Sequence, residues 1–343
     1  MPAQLRAHLF ADLYGYSRMV NEQGEREVAK VMRTYERIVR KHAATRALDI
    51  ERVADTFHLV FRLPVDAVRC AIEIADALTS ENVRATTKIA VHFGVDAGQS
   101  VRGGGHYVGS APVLASRLCS RARPGQVLVS EAIHNLIKTA HIPTRDLGVW
   151  KPKGVPTVHV YEARAPDDES DATDSGLARF LSAFLFTDIA SSTAGAAAAG
   201  DRRWRDIVEQ HHAIIREELE RHHGTEIDTA GDGFYAVFDS PSRAIRCALI
   251  VGNRVHAIGV DIRAGIHVGE CEIVAGKIGG MAVVIGARIK DKAGAGEVLV
   301  SDTVKNSLVG TAFSFADKGR HVLKGAPGEW QLHSVLHDEP GSS

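Results

Sequence analysis

Three features are scarce in this sequence, and each shortage excludes a class of protein. The 343 residues contain only four cysteines, none in a CxxC pair or at a spacing from histidine that fits a zinc site. No uninterrupted apolar run reaches the ~18 residues that a membrane helix needs, and the N-terminus lacks a signal-peptide core. A net charge of −1 provides no basic surface for nucleic acid. We therefore expect a cytoplasmic protein with no membrane span and no nucleic-acid partner.

The composition is that of a globular protein, and the chain repeats itself. Hydrophobic residues make up 45% and charged residues 24% of a length that allows two ordinary domains. Residues 8–13 (HLFADL) correspond to 184–189 (FLFTDI), and residues 125–130 (GQVLVS) correspond to 296–301 (GEVLVS). Two copies in the same order predict two domains of one fold. We place them at 1–164 and 179–337, with an acidic, solvated linker at 165–178.

Within each copy, strands alternate with helices around a hairpin. For the first copy the pattern predicts strands at 5–11, 88–97, 127–130 and 157–161, a hairpin around residue 55, and helices at 23–45, 64–78, 113–121 and 131–138. This order is typical of an α+β sandwich of the ferredoxin-like type, extended at its C-terminus.

Two aspartates in each copy are the first candidate site residues. In the second copy, Asp188 ends an apolar strand and Asp232 lies in a Gly-Asp-Gly hairpin turn. A helix between them can cross back over the sheet and bring strand end and turn together, where two carboxylates can hold Mg²⁺ and a polyphosphate. An aspartate in a turn is usually only a turn former. Here the arrangement occurs twice, with Asp12 and Asp55 in the first copy.

Both copies resemble class III nucleotidyl cyclase homology domains, and together they cover nearly the whole chain. The resemblance rests on residues 10–12 (FAD) and 186–188 (FTD), on Asp55 and the GDG turn at 231–233, and on residues 263–270 (RAGIHVGE). It implies two ferredoxin-like cyclase domains that form an intramolecular pseudo-dimer; pairing between two chains, as a homodimer, stays open.

The resemblance also implies an activity. In the family, the ribose 3′-oxygen of a nucleoside triphosphate attacks the α-phosphate and pyrophosphate leaves, with two Mg²⁺ or Mn²⁺ ions per working site. The matching positions are the metal ligands Asp12, Asp55, Asp188 and Asp232 and the catalytic arginines Arg117 and Arg288. Because the family builds its sites across a dimer interface, Asp188 and Asp232 are expected to face Arg117, while Asp12 and Asp55 face Arg288.

Further nucleotide contacts are implied by the same resemblance. Lys153 and Lys324 match the family's lysine for the terminal phosphates. Hydroxyl groups near the phosphates are expected from Ser191, Ser192 and Thr193.

Two departures from the family pattern affect substrate and rate. Glu51 and Asp228 stand where adenylate cyclases carry an adenine-reading lysine. A carboxylate cannot donate to adenine as lysine does, but it can accept from a guanine N–H. Val113 and Val284 replace the transition-state asparagine. Losing one such donor typically costs ~10²–10³ in rate.

Three functions therefore stay open. We expect a cyclase that uses ATP, the commoner substrate in the family; the alternatives are a guanylate cyclase and a pseudo-cyclase that binds nucleotide without turnover. Of the two sites, Asp188 and Asp232 completed by Arg117 is preferred, because glycines flank Asp232 in its turn. The paired histidines at 211–212 are interpreted as solvated.

Overall fold

The computed structural model describes residues 3–165, 179–192, 201–274 and 277–336. Contacts divide the chain into two compact units, with the division between residues 175 and 176. The predicted acidic linker lies outside the described residues apart from its first residue. No helix in the described ranges is long and apolar enough to cross a membrane.

The first unit is one eight-stranded sheet with helices packed on it. Its strands are β1 Gln4–Leu13, β2 Ala47–Val53, β3 Thr56–Phe61, β4 Val91–Gly103, β5 His106–Val108, β6 Val127–Ser130, β7 Thr144–Trp150 and β8 Val158–Ala163. Its helices are α1 Tyr16–Gln23, α2 Glu25–Ala43, α3 Pro64–Arg84, α4 Ser110–Arg121 and α5 Glu131–Ile137, which a 3₁₀ turn (Lys138–Ala140) follows. The strand order is β2-β3-β1-β4-β6-β8-β7, and β5 pairs with β4.

The second unit repeats this architecture strand by strand. Its strands are β9 Arg179–Ile189, β10 Thr225–Ala230, β11 Gly233–Phe238, β12 Ile262–Val274, β13 Lys277–Gly279, β14 Val298–Ser301, β15 Ser314–Val322 and β16 Glu329–Leu336. Its described helices are α6 Asp201–Arg221, α7 Pro241–His256, α8 Met281–Lys292 and α9 Asp302–Ser307. The order β10-β11-β9-β12-β14-β16-β15, with β13 on β12, confirms the predicted repeat of one α+β fold.

Alternating apolar residues place one face of the central strand β1 in the core. Five alternate side chains of β1 are fully buried: Leu5, Ala7, Leu9, Ala11 and Leu13. Helix α3 begins with Pro64. Proline has no backbone N–H, and at the first position of a helix this group would have no partner within the helix. Cys70 on α3 and Cys247 on α7 are buried thiols at equivalent positions, as expected of small apolar side chains.

Glycines in the central strands bring one helix of each unit against the sheet. A Cβ on Gly94 of β4 would lie 2.1 Å from the backbone nitrogen of Cys119 on α4. A Cβ on Gly265 of β12 would likewise lie 2.1 Å from the backbone nitrogen of Lys290 on α8. Helices α4 and α8 are therefore held against β4 and β12, the strands that pair with β1 and β9 and so lie beside Asp12 and Asp188.

A serine begins the helix after the parallel strand in each unit and also binds a buried ionisable side chain. Ser130 accepts from the Ile133 N–H and donates to Asp96 Oδ1 at 2.5 Å. In the second unit, Ser301 lies 2.8 Å from His267 Nδ1. Asp96 and His267 are both almost completely buried on the central strands.

Several element limits differ from the sequence prediction. The predicted helix 23–45 corresponds to α2, which begins after Gly24 with its φ of 80°, and the preceding helix α1 was not predicted. Helix α3 extends to Arg84. The edge strands β7 and β15 were not predicted, since their exposed, mixed sequences carry little alternation.

Candidate functional site

The second unit brings three of its predicted site residues to one pocket. Asp188 is the penultimate residue of β9, and Asp232 lies in the turn between β10 and β11. The Ile189 N–H donates to Asp232 Oδ2 at 3.1 Å, which ties the turn to the strand end. The pocket has a volume of about 330 Å³ and is lined by Phe186, Thr187, Asp188, Asp228, Ala230, Asp232, Gly233, Phe234, Tyr235 and Lys290.

Two cations within the unit bind the Asp188 carboxylate. Arg263 lies directly opposite Asp188 in the β9–β12 ladder and donates from Nε to Oδ1 and from Nη2 to Oδ2, both at 2.9 Å. Lys290 Nζ lies 2.7 Å from Oδ2. Such forked, charge-assisted bonds are among the strong ones in proteins. Burial lowers the pKa of Lys290, but its bonds to Asp188 and Asp291 outweigh burial and raise that pKa overall, so the side chain is a cation at neutral pH.

The first unit gives Asp12 a different environment. Thr56 Oγ1 donates to Asp12 Oδ1 at 2.5 Å, and His92 Nε2 lies 3.2 Å from Oδ2. His92 is directly opposite Asp12 in the β1–β4 ladder, the position that Arg263 has in the second unit. The hydrogen bond from His92 lowers the pKa of Asp12.

Asp55 lies in the turn between β2 and β3 and is influenced by Asp12. Burial first, and then the negative charge of Asp12, raise the pKa of Asp55 above its ordinary value. The two carboxylates of the first unit are thus close enough to repel each other. The residue that corresponds to Lys290 here is Cys119, whose Sγ donates to the His92 carbonyl at 3.2 Å.

The predicted catalytic arginines lie on equivalent helices. Arg117 is exposed on α4 and forms no ion pair with any residue that the structure describes. Arg288 is partly exposed on α8, where Nε donates to the Lys324 carbonyl at 3.1 Å and Nη1 pairs with Asp291 at 3.0 Å. Val113 and Val284 are exposed on the same two helices.

The two positions that are predicted to read the base differ in exposure. Glu51 on β2 is mostly buried, and its Oε2 is 3.0 Å from His106 Nδ1. Its Oε1 is buried without a hydrogen-bond partner among the described residues. Asp228 on β10 is exposed and accepts from the Thr229 N–H at 2.9 Å.

Of the residues predicted to contact the phosphates, both lysines lie in loops. Lys153 and Lys324 are exposed between the last two strands of their units. Ser191 is exposed with a φ of 57°, and Ser192 is partly buried. Thr193 lies outside the described residues.

His92, Arg263 and Lys290 were not predicted as partners of the aspartates. A comparison of the two copies carries a signal for Lys290, which stands two residues after Arg288 where the first copy has Cys119. The sequence carries no such signal for His92 and Arg263, which lie opposite the aspartates in neighbouring strands, because strand register is not visible in a local pattern.

Each unit supplies two carboxylates, the oxygen ligands that Mg²⁺ and Mn²⁺ prefer. Among the described residues no cluster of three or more His, Cys, Asp or Glu side chains forms a metal site by itself. Repulsion between Asp12 and Asp55 is what a bound cation would relieve, so the first pair fits a divalent ion. At the second pair, a metal competes with the cations already bound to Asp188.

Comparisons with known proteins address both halves of the chain. The family model described as the adenylate and guanylate cyclase catalytic domain matches residues 6–162 and 182–337. An uncharacterized protein of Mycobacterium tuberculosis is 35% identical over 107 residues, which is 30% of this chain and 37% of that protein. The chain thus matches little more than a third of this relative's length.

Similar solved structures cover about half of the chain. The adenylyl cyclase CyaB from P. aeruginosa is 19% identical, covers 48% of this chain and 97% of its own, and has a TM-score of 0.45. The adenylate/guanylate cyclase/hydrolase from Silicibacter pomeroyi is 25% identical, covers 47% of this chain and 99% of its own, and has a TM-score of 0.41.

Proposed function

Since the chain belongs to the adenylate and guanylate cyclase catalytic domain family in both of its units, we propose that it is a nucleotidyl cyclase. It converts a nucleoside triphosphate, with ATP as the expected substrate, to the 3′,5′-cyclic monophosphate and pyrophosphate. The proposal places the protein in the cytoplasm, where nucleoside triphosphates are available; its four cysteines are buried free thiols.

The observation that carries this proposal is the repeated carboxylate pair. In the second unit, Asp188 and Asp232 line one pocket, and the hydrogen bond from Ile189 joins strand end to turn. In the first unit, Asp12 and Asp55 are close enough for one charge to raise the pKa of the other carboxyl. A phosphoryl-transfer site needs such paired oxygen ligands more than it needs covalent chemistry.

Asp12 with Asp55, and Asp188 with Asp232, would hold Mg²⁺ or Mn²⁺, two ions per working site. When bound, these ions supply activation of the attacking 3′-oxygen and neutralisation of the phosphates. The main task of the chain's own residues is to orient the nucleoside triphosphate. An arginine fork donates two parallel hydrogen bonds to the α-phosphate and stabilises the charge that develops there.

We assign the arginines by the family resemblance. Arg117 completes the site of Asp188 and Asp232, and Arg288 completes that of Asp12 and Asp55, whether the copies pair within a chain or between two chains. The exposed guanidinium of Arg117, which forms no ion pair among the described residues, supports a role toward an external group. Lys153, Lys324 and the hydroxyls of Ser191, Ser192 and Thr193 bind the outer phosphates in this proposal.

Guanylate cyclase is the second candidate, and Glu51 favours it. Guanine presents N–H donors on the edge where adenine presents a ring-nitrogen acceptor. Oε1 of Glu51, which is buried and has no hydrogen-bond partner in the part of the chain that the structure describes, is an acceptor that such a donor would satisfy. His106 fixes the other oxygen of the carboxylate.

A nucleotide-binding pseudo-cyclase is the third candidate, and the two valines favour it. Val113 and Val284 supply no hydrogen bond where the family has asparagine, and both are exposed on their helices. An otherwise complete site that lacks this donor is expected to turn over slowly.

Product formation separates the three candidates. The purified chain is incubated with ATP or GTP and Mn²⁺, and the products are resolved by chromatography. Asp188→Ala and Asp12→Ala are compared with Asp76→Ala, an exposed aspartate on α3 that serves as the matched control. If the cyclic product disappears only with Asp188→Ala, the second carboxylate pair is the catalytic one. If it disappears only with Asp12→Ala, the first pair is. No product from either nucleotide, with metal-dependent nucleotide binding intact, overturns the catalytic proposal.

A further inference from the structure

We infer that Lys290 is a built-in competitor for the metal at the second carboxylate pair. Its ammonium group occupies the oxygen of Asp188 that a divalent cation would take, so this pair binds metal more weakly than Asp12 and Asp55 do. The inference rests on the proposed function only in taking the carboxylate pairs as metal ligands.

The geometry holds the lysine at this oxygen. Lys290 Nζ lies 2.7 Å from Asp188 Oδ2 and 3.0 Å from Asp291 Oδ1. The side chains of Lys290 and Asp188 are only 19% and 15% exposed, so water screens their interaction incompletely. Close contact between Gly265 and the Lys290 backbone fixes where the side chain starts. Asp188 Oδ2 also accepts from Arg263 Nη2, so the ammonium group takes the position that is left on this oxygen for a metal.

The balance of charge differs between the two pairs. Asp188 and Asp232 carry two negative charges. Arg263 and Lys290 bring two permanent positive charges against them, and Lys290 shares its charge with Asp291. In the first unit, His92 is the side chain that pairs with Asp12, and it carries at most one positive charge. A divalent cation is attracted less strongly when nearby positive charges offset the negative charge of its ligands. The first pair has fewer such positive charges against it, so it attracts the metal more strongly.

The helix residue over the carboxylate is a second difference between the two units, beside the exchange of His92 for Arg263. Cys119 occupies the same place on α4, in the same contact with a strand glycine. Burial raises the pKa of the Cys119 thiol, so this side chain is neutral and donates to a backbone carbonyl. The helix position over the carboxylate is therefore neutral in one copy and cationic in the other.

The test is Mn²⁺ binding by the full chain, followed by electron paramagnetic resonance of the free ion with the metal as the only ligand. Asp12→Asn removes the first pair, so that binding at the second is observed alone. In this background, Lys290→Ala is expected to tighten Mn²⁺ binding about tenfold or more, because one positive charge leaves the ligand oxygen. Adding Asp188→Asn is expected to abolish the gain.

Two controls keep the outcome specific. Lys292→Ala removes a positive charge from the last turn of the same helix and is expected to leave Mn²⁺ affinity unchanged. Lys290→Arg keeps the charge and is expected to keep binding weak. The thermal unfolding curve of each variant shows that it is folded.

Equal or weaker Mn²⁺ binding by the folded Lys290→Ala variant overturns the inference, and so does tightening by Lys292→Ala to the same degree. Product formation is not part of the readout. Absence of a cyclic product would thus overturn the proposed activity and leave this inference standing. Unchanged Mn²⁺ binding by the Lys290→Ala variant would overturn this inference and leave the proposed activity standing.

Discussion

Gly265 on β12 is in direct contact with the backbone of Lys290 on α8. A Cβ added to this glycine would lie 2.1 Å from the Lys290 nitrogen and 2.6 Å from its Cα. Backbone atoms of a packed helix cannot move aside as the end of a flexible side chain can. The contact sets the distance between the helix and the strand that faces Asp188.

Gly265→Ala is therefore expected to destabilise the protein by roughly 1–3 kcal/mol or more, because the added methyl group forces helix and strand apart. The measurement is the midpoint of chemical or thermal unfolding of the full chain. Gly252→Ala is the matched control: this glycine lies inside α7 with nothing within 4 Å of an added Cβ. There alanine is expected to stabilise the helix by roughly 0.5–1 kcal/mol. Equal effects of the two substitutions would contradict the contact.

Asp96 is expected to make the stability of the first unit depend on pH. Burial raises the pKa of this carboxyl from 3.8 to about 7. The folded state therefore binds the proton more tightly than the unfolded state does, and the contribution of Asp96 to stability is complete below pH 3.8 and is lost as the pH rises to about 7. A shift of about three pKa units corresponds to roughly 4 kcal/mol as an upper limit.

Asp96→Asn removes the ionisation and keeps a side chain that can bind the Ser130 hydroxyl. The free energy of unfolding of this variant, relative to the parent, is expected to increase steadily between pH 4 and pH 7, measured by denaturant titration at each pH. A difference that does not change with pH would show that Asp96 does not titrate in this range.

His267 is expected to give the opposite slope in the second unit. Burial lowers the pKa of this imidazole from 6.5 to about 3. Its folded state excludes the proton, so stability is complete above pH 6.5 and is lost as the pH falls toward 3. His267→Gln is expected to reduce the loss of stability on acidification, and a parent-like acid profile of this variant would contradict the assignment.

Glu51→Lys is expected to shift nucleotide preference toward ATP. The lysine replaces an acceptor by a donor, which suits the ring nitrogen of adenine and opposes the N–H groups of guanine. The ratio of kcat/KM for ATP to that for GTP is expected to rise about tenfold or more, since a site built for one hydrogen-bond pattern discriminates strongly against the other. An unchanged ratio, with activity intact, would show that Glu51 does not recognise the base. Asp228→Lys tests the corresponding position of the second unit in the same way.

Val113→Asn and Val284→Asn are expected to raise kcat by restoring the missing donor. Restoration recovers up to ~10²–10³ where the rest of the site is in place. Both valines are exposed, at 46% and 37%, so that an amide costs little stability. Each asparagine acts beside the arginine of its own helix, so the variant that responds identifies the working site. No response from either would favour the pseudo-cyclase.

Much of the fold could be predicted because alternation of apolar residues is a local signal. The ends of β1 and β9 and both hairpin turns follow from it, and these elements carry Asp12, Asp55, Asp188 and Asp232. The roles of these residues as metal ligands stay predictions.

The partners of the aspartates could not be predicted in the same way. Arg263 and Asp188 are 75 residues apart and meet only through the register of two strands. Burial of single histidines was also missed. His211 was expected to be solvated but is fully buried, and its neighbour His212 lies 2.9 Å from the Gly231 carbonyl, next to Asp232. The burial of His211 and the contact of His212 both depend on where the helix crosses the sheet, and the sequence of the helix does not specify this.

Ser130 and Ser301 have a consequence for how the two copies diverged. A hydroxyl can donate and accept at once. The same serine therefore begins a helix in both units while its buried neighbour is an acid in one and an imidazole in the other. An exchange of aspartate and histidine at this central position needs no second substitution to keep the hydrogen bond. A single substitution at this position can therefore change the buried ionisable group and leave the new group a hydrogen-bond partner.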